Sequence, residues 1–154
     1  MEDDFLSISI EYKFSSHIGS RKASDCIKEY NAILYEGGFA DNTHNKYVGE
    51  IDFKIIYLNQ SEVEGIDIYE IFDTYEYTFR HRQNFYDFKK DTFKKPILNE
   101  FPDLEFEYGR ICIIETIGIL PKFRRKGIGA KAFKDLIWNF DIGAYIIIIT
   151  TSFV

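Results

Sequence analysis

Residues 111 to 140 read ICIIETIGIL PKFRRKGIGA KAFKDLIWNF. The segment from Ile111 to Leu120 is mostly apolar and predicts a buried β-strand. Pro121 and a group of basic residues follow as a turn, and two glycines open the next segment. From Ala132 to Phe140 the apolar residues recur at the i, i+3, i+4, i+7 spacing of an amphipathic helix. The sequence therefore predicts a strand, a basic glycine turn and a helix in direct succession.

The predicted turn is suited to binding an anion. The first backbone N–H groups of a helix have no partner inside it and lie at the positive end of its dipole. Gly127 and Gly129 carry no side chains that would keep a phosphate from these amides. Four basic residues add positive charge in a chain whose net charge is -6: Lys122, Arg124, Arg125 and Lys126. The pattern therefore predicts a diphosphate site.

Two common nucleotide motifs fit this turn poorly. A P-loop ends in Gly-Lys-Ser/Thr, whereas residues 130 to 132 read AKA. Residues 127 to 132 match the dinucleotide motif loosely, but its first glycine should leave the strand directly. An acidic residue should also follow about 20 residues later, and none follows Asp141. Neither motif accounts for the turn.

The segment resembles the acyl-coenzyme A site of the GNAT superfamily of N-acetyltransferases. The signature of that family is Arg/Gln-x-x-Gly-x-Gly/Ala after a strand that ends in an aliphatic-x-Pro step. Residues 124 to 129, RRKGIG, fit the signature, and residues 117 to 121, IGILP, fit the strand end. The resemblance is specific from residue 111 to about residue 151. The residues before 111 are compatible with the family but carry no specific motif of it. The alternative is a basic turn whose glycines serve close packing alone.

The resemblance implies a fold and an activity. The fold would be mixed α/β, with a largely antiparallel central sheet flanked by helices, in one GNAT-like domain over residues 1–154. The activity would be transfer of an acetyl group from acetyl-CoA, as co-substrate and without a metal, to a primary amine by direct attack. Strand-end backbone groups would contact the pantetheine arm: Ile117, Gly118 and Ile119. Main-chain amides would hold the diphosphate: Arg124, Arg125, Lys126, Gly127, Ile128, Gly129 and Ala130.

Glu115 is the candidate catalytic residue within the motif. The attacking amine must be neutral, so a nearby carboxylate has to take its proton, directly or through water. Counted by twos, Glu115 shares a face with four isoleucines, whose apolar surroundings would favour the neutral carboxyl group. A bulge that turns Glu115 outward, or a pairing with lysine or arginine, is the alternative.

Two other groups of residues are candidates for an acceptor site. Three acidic residues on a predicted helix would attract a cationic amine, although such a face is usually only solvated: Asp67, Glu70 and Asp73. Four tyrosines would line a cleft or supply a general acid, although most tyrosines serve packing: Tyr69, Tyr75, Tyr77 and Tyr86.

The remaining pattern predicts further elements. Alternation predicts strands over residues 5–14 and 47–58, the second with a polar face that meets solvent or a loosely packed helix. Residues 23–34 predict a short helix or, near residue 32, a strand. Helical spacing covers residues 68–75 and, less regularly, residues 78–93, with Lys95-Pro96 as an interruption. Helices inserted before the central strand depart from the simplest family layout, which places its helices early.

Composition restricts the class of protein. The chain has 154 residues, 45% of them apolar, which suits a packed core. Cys26 and Cys112 give no disulfide framework and no metal-binding pair, and no apolar run approaches the length of a membrane span. A cytoplasmic location away from membranes is expected. The sequence pI near 5.1 makes a nucleic acid an unfavoured partner.

The last residues set two further expectations. Residues 144–151 predict a buried strand, which in the family is followed by a helix and a terminal hairpin that often carries the general acid. The sequence ends at Val154, so a relative without these elements is expected. The alternative function is a degenerate or truncated domain that binds coenzyme A or a protein partner without catalysis. A strand this apolar at a sheet edge also predicts a homodimer through Ala144 to Thr151.

Overall fold

The computed structural model describes residues 7–16, 22–37, 46–58, 63–75, 84–87, 89–90, 92–100, 102, 110–140 and 146–153, the last range by its backbone. The strands in these residues are β1 (Ile8–Phe14), β2 (Ile27–Glu36), β3 (Lys46–Tyr57), β4 (Tyr86–Asp87), β5 (Thr92–Phe93), β6 (Arg110–Ile119) and β7 (Ile146–Phe153). The α-helices are α1 (Ile68–Asp73), α2 (Lys95–Glu100) and α3 (Ile128–Asn139), and 3-10 turns cover Ala23–Cys26 and Pro121–Phe123.

The main sheet has five strands in the order β1-β2-β3-β6-β7. Its first three neighbour pairs are antiparallel, and β6 pairs with β7 in parallel across the crossover through α3. A parallel pair needs such a crossover, since its strands run in the same direction. The predicted mixed α/β class with a largely antiparallel sheet is therefore confirmed.

Helix α3 covers one face of the sheet. Its buried residues Ile128, Ala132 and Leu136 lie on the 3.6-residue spacing predicted from the sequence. They pack with alternate residues of β3, of which Ile51 and Phe53 are almost fully buried. Burying a side chain as large as leucine contributes about 2 kcal/mol, so this stripe of residues is what holds α3 on the sheet.

The opposite face is covered at one end by the remaining elements. Helix α1 and the β4–β5 pair bury an apolar cluster against the start of β6 and the end of β3, with Ile71, Phe72 and Phe85 at its centre. Both faces of β6 are thus buried at residues 111–114, which explains why this strand is continuously apolar. None of the described helices is long and apolar enough to cross a membrane.

Three local predictions differ from the structure. Of the two alternatives for residues 23–34, the strand is observed and the helix is not: a 3-10 turn is followed by β2, because alternate residues Tyr30, Ala32 and Leu34 pack into the core between two antiparallel neighbours. Residues 86–87 and 92–93, expected to be helical, form the β4–β5 pair, and residues 78–83 lie outside the described ranges. Pro96 lies in the first turn of α2, where its missing N–H is not needed.

A β-bulge lies at Glu115 in β6. Ile114 is opposite Phe53 of β3, but Thr116 is opposite Asp52, so Glu115 is the extra residue between two successive partners. The pairing with β7 shifts at the same place. A bulge changes which face the following side chains occupy. Ile111 and Ile113 therefore lie on the α1 side, whereas Ile117 packs on the α3 side.

β3 approaches the end of β6 so closely that only glycine fits at residue 49. A Cβ atom at Gly49 would collide with the backbone oxygen of Gly118 and lie 3.0 Å from the Cα of Ile119. A Cβ atom at Gly118 would meet only ordinary contact distances, the nearest being 3.9 Å to the backbone oxygen of Glu50. The space between the strands is therefore limited at residue 49 and not at residue 118.

This difference gives a stability prediction. Gly49→Ala should lower the free energy of unfolding by about 1–3 kcal/mol, the usual cost of forcing extra atoms into a packed site. Gly118→Ala is the matched control and should cost clearly less. Urea denaturation of both variants measures this, and equal midpoints for the two would contradict the close approach.

Candidate functional site

The basic turn is anchored by one aromatic residue. Phe123 is 5% exposed and packs in the core under α3. Backbone hydrogen bonds fold the 3-10 turn around it, from Phe123 N to Leu120 O at 2.9 Å and from Arg124 N to Pro121 O at 3.2 Å. The exposed basic residues on either side are thereby held at the end of β6.

The start of α3 is shaped as the anion hypothesis requires. Gly127, the residue before the helix, has φ 71°, and Arg125 has φ 62°, both in the left-handed region. The first backbone bond of the helix runs from Lys131 N to Gly127 O at 3.0 Å, and no side chain caps the helix start. A Cβ atom at Gly127 would meet nothing within 4 Å. The space beside Gly127 is therefore open.

Arg124 connects the turn to the strand that precedes it. Its Nε donates a hydrogen bond of 2.7 Å to the backbone oxygen of Ile119. The ammonium of Lys122 lies 4.8 Å from the centre of the Phe123 ring. Arg124 and Lys122, two of the four basic residues predicted to surround a diphosphate, therefore also contact the turn.

The expected pantetheine contacts on β6 differ from one another. Ile117 lies opposite Ile51 on one side and opposite Phe153 of β7 on the other, inside the sheet. Gly118 and Ile119 continue past the last described β6–β7 pair and lie opposite β3 alone. The main-chain groups of residues 118 and 119 are therefore more accessible to a ligand than those of residue 117.

Glu115 is not in the apolar surroundings expected from counting by twos. The bulge moves Ile117 and Ile119 to the other face of the sheet. The Glu115 side chain is 29% exposed, and its Oε1 lies 3.0 Å from Nζ of Lys54. Lys54 also lies 3.2 Å from Glu29 and 4.8 Å from the ring centre of Tyr75. Of the two alternatives at the sequence level, the pairing with a lysine is the one observed.

Lys54 is held in its charged form by this pairing. Burial by itself would lower its pKa, but the hydrogen bond and charge of Glu115, followed by those of Glu29, outweigh burial and raise the pKa above its ordinary value. Lys54 and Glu115 thus form an ion pair on the face of the sheet opposite α3.

Beside this pair, Asp52 is the centre of a second polar group. The Nδ2 atom of Asn31 on β2 donates to Oδ1 of Asp52 at 2.7 Å, and Oγ1 of Thr116 on β6 donates to Oδ2 at 2.6 Å. The three residues face each other across adjacent strands, since Asn31 and Thr116 are both in register with Asp52. The Asp52 carboxylate is therefore fixed from both sides.

Two clefts meet at this group. The turn cleft, of about 400 Å³, is lined by Tyr47, Gly49, Glu50, Asp52, Thr116, Gly118, Ile119, Leu120, Pro121 and Arg124. The β1 cleft, of about 530 Å³, is lined by Lys13, Phe14, Ser15, Glu29, Tyr30, Asn31, Asp52, Phe53, Glu115 and Thr116. Asp52 and Thr116 line both clefts. The two clefts are therefore adjacent at Asp52 and Thr116.

The other sequence candidates have structural roles where they are described. Oδ1 of Asp67 accepts from the amide of Tyr69 at 2.7 Å and so caps α1, and Glu70 is exposed. Tyr86 is buried against Phe93 in the β4–β5 pair. Tyr77 lies outside the described residues. Within those residues, no group of three or more histidine, cysteine, aspartate or glutamate side chains is arranged to hold a metal ion.

No protein-family model, curated protein or solved structure matches the chain. What the protein does is therefore inferred from its own residues.

The sequence pattern missed the group around Asp52. The alternation of Glu50, Asp52 and Lys54 placed these residues correctly on one polar face of β3. Their partners, Asn31 and Thr116, come from strands whose register a single sequence does not reveal. Asn31 was within a predicted helix and Thr116 follows a bulge, so neither could be paired with Asp52 in advance.

The ion pair at Lys54 predicts how stability depends on pH. Because the pKa of Lys54 is raised by folding, its contribution is fully present below the pKa of the unfolded chain, about 10.4. It is lost as the pH rises from there through the higher folded value. The difference in unfolding free energy between the wild type and Lys54→Met should therefore be constant from pH 7 to 10 and shrink above it. Denaturant titrations across this range measure the difference, and a constant difference up to pH 12 would contradict the pairing.

Proposed function

We propose that this protein is an N-acetyltransferase of the GNAT type, which binds acetyl-CoA at the turn over residues 121–130 and transfers the acetyl group to a primary amine. The observation that supports this most is the position of the RRKGIG signature. It lies at an uncapped helix start with a left-handed glycine, after β6 and the 3-10 turn that follows that strand. The sequence motif and the backbone conformation at the helix start thus both support binding of a diphosphate.

Each part of the site has a physical role in this proposal. The amides at the start of α3 bind the diphosphate, and exposed Arg124, Arg125 and Lys126 attract it. The turn cleft leads from Arg124 along Gly118 and Ile119 toward Asp52 and Thr116. Acetyl-CoA supplies the activated acyl group. The chain orients that group and takes up the proton of the amine.

A second candidate function has one observation in its favour. The ion pair between Glu115 and Lys54 at 3.0 Å occupies the carboxylate that the motif suggests as proton acceptor. A domain that binds coenzyme A, or a protein partner, without turnover is compatible with such a pair. Release of free thiol from acetyl-CoA in the presence of a panel of primary amines separates the two functions.

Thiol release is measurable with a thiol reagent because both cysteines of the protein are buried. Cys26 is 2% and Cys112 is 0% exposed, and burial raises the pKa of the Cys112 thiol to about 12. The folded protein should therefore add little signal of its own. Neither cysteine is in a disulfide, which is in keeping with the expected cytoplasmic location.

The phosphate assignment is tested at Gly127 by a matched pair of variants. Gly127→Asp should weaken coenzyme A binding by about tenfold or more, since a carboxylate at the helix start repels the diphosphate and each tenfold step is about 1.4 kcal/mol. Gly127→Asn has nearly the same shape, tolerates a positive φ and also caps helices, so it isolates the charge. Calorimetric titration with coenzyme A measures both affinities, and equal binding by the two variants would remove the assignment.

We also propose that the chain forms a homodimer through β7, in the segment from Ala144 to Thr151. Among the described strands β7 lies at an edge of the main sheet, with β6 as its neighbour. Residues 144–145 lie outside the described ranges. An apolar edge strand is a template for pairing with a second copy.

Light scattering at tens of micromolar protein tests the dimer. The wild type should show twice the chain mass, and Thr150→Lys should shift it toward the monomer, because a charge on an edge strand opposes pairing. Ser7→Lys, next to the opposite edge of the sheet, is the control and should stay dimeric. A monodisperse wild-type monomer would rule the interface out.

A further inference from the structure

We propose that Asp52 is the catalytic residue that takes the proton of the acceptor amine, and that the amine reaches it through the β1 cleft. This inference rests on the proposed acetyltransferase function and gives the proton to a residue other than the Glu115 suggested by the motif. It is argued from the position, the hydrogen bonds and the charged surroundings of Asp52.

The position of Asp52 is the first reason. Asp52 and Thr116 line both clefts, so they are the point where a ligand in the turn cleft and a ligand in the β1 cleft meet. An acyl group that comes along the strand end from Arg124 and an amine that comes from the end of β1 would both stop beside this carboxylate. Two reactants held at one point react as if at very high concentration.

The hydrogen bonds of Asp52 are the second reason. One oxygen accepts from Asn31 and the other from Thr116, at 2.7 Å and 2.6 Å. A carboxylate oxygen accepts up to two hydrogen bonds, so each oxygen keeps one direction in which to accept a proton from the amine. Asn31 and Thr116 act as positioning residues that fix the carboxylate without neutralising it.

The charged surroundings are the third reason. The charged groups that line the two clefts or lie beside them are Lys13, Glu29, Glu50, Lys54, Glu115 and Arg124. Lys54 lies between Glu29 and Glu115, and Lys13 lies 3.5 Å from Glu11. The described partners of Asp52 are an amide and a hydroxyl group, both neutral. Asp52 is therefore better placed than Glu115 to accept a proton.

With Asp52 as the base, every proton and bond of the acyl transfer can be followed. The ammonium form of the acceptor gives one proton to the Asp52 carboxylate, which leaves a nitrogen lone pair. The neutral nitrogen bonds to the thioester carbonyl carbon while the carbon–sulfur bond breaks and its electron pair goes to sulfur. The second nitrogen proton passes to that sulfur, which leaves as free thiol, and Asp52 returns its proton to solvent.

Asp52→Asn tests the assignment against Glu115→Gln. The asparagine can still accept from Asn31 and can donate to the Thr116 hydroxyl, so the fold should persist, as thermal unfolding will show. Asp52→Asn should lower kcat for thiol release by about 10²- to 10⁴-fold, the usual contribution of a general base. Coenzyme A affinity in calorimetry should stay within about twofold, because the proposed diphosphate contacts are the amides of α3 and the basic side chains, not this carboxylate. Glu115→Gln should cost less than Asp52→Asn, and Glu36→Gln, at a surface ion pair with Lys46, should not change the rate.

The pH profile separates a chemical role from a structural one. The fall of kcat/KM at acid pH, which reports protonation of the base, should disappear in Asp52→Asn, and Asp52→Glu should restore part of the rate. Thr116→Val should lower kcat more than it changes KM, because it frees the carboxylate to rotate.

Two outcomes overturn the inference in different ways. Wild-type turnover by Asp52→Asn, or a larger loss in Glu115→Gln, overturns the assignment and leaves the acetyltransferase function standing. Failure of the wild type to release thiol with any amine of the panel overturns both.

Discussion

The bulge at Glu115 is the constraint on which the site depends. Without it, Thr116 would point toward α3 and Ile117 toward the polar face, so Asp52 would lose the hydrogen bond from Thr116 and the core would be interrupted beyond residue 114. With the extra residue, Ile117 packs under α3 and Thr116 meets Asp52 across the strands. One additional residue thus makes β6 a strand that is buried at its start and that places a polar side chain beside Asp52 further along.

The turn depends on a different interaction, the burial of Phe123. Three positively charged side chains in a row, at residues 124–126, repel one another and do not specify a compact conformation. Phe123 under α3 and the hydrogen bond from Arg124 to Ile119 hold them at the end of β6. The left-handed backbone at Arg125 and Gly127 then directs the first amides of α3 outward. Here packing positions the charges, and the charges contribute little to the fold.

The sequence predicted the elements whose pattern is local. The β6 strand, the turn and α3 were placed to within one or two residues, since continuous apolar residues, glycines and a 3.6-residue spacing are each visible within a short window. β2 was predicted only as an alternative near residue 32, because Tyr30 and Leu34 satisfy helical spacing as well as alternation, and only pairing with β1 and β3 decides between them. The site at Asp52 was missed for the same reason, because its three members are distant in sequence.

The close approach at Gly49 also limits how the turn cleft can be reshaped by mutation. Residue 49 admits no side chain, so at this position the cleft is lined by main chain that a point mutation cannot easily change. The walls are different, because Tyr47 and Glu50 project from β3 on exposed or half-exposed positions. Exchanging these wall residues would therefore change what the turn cleft accepts while the main chain at residue 49 stays as it is.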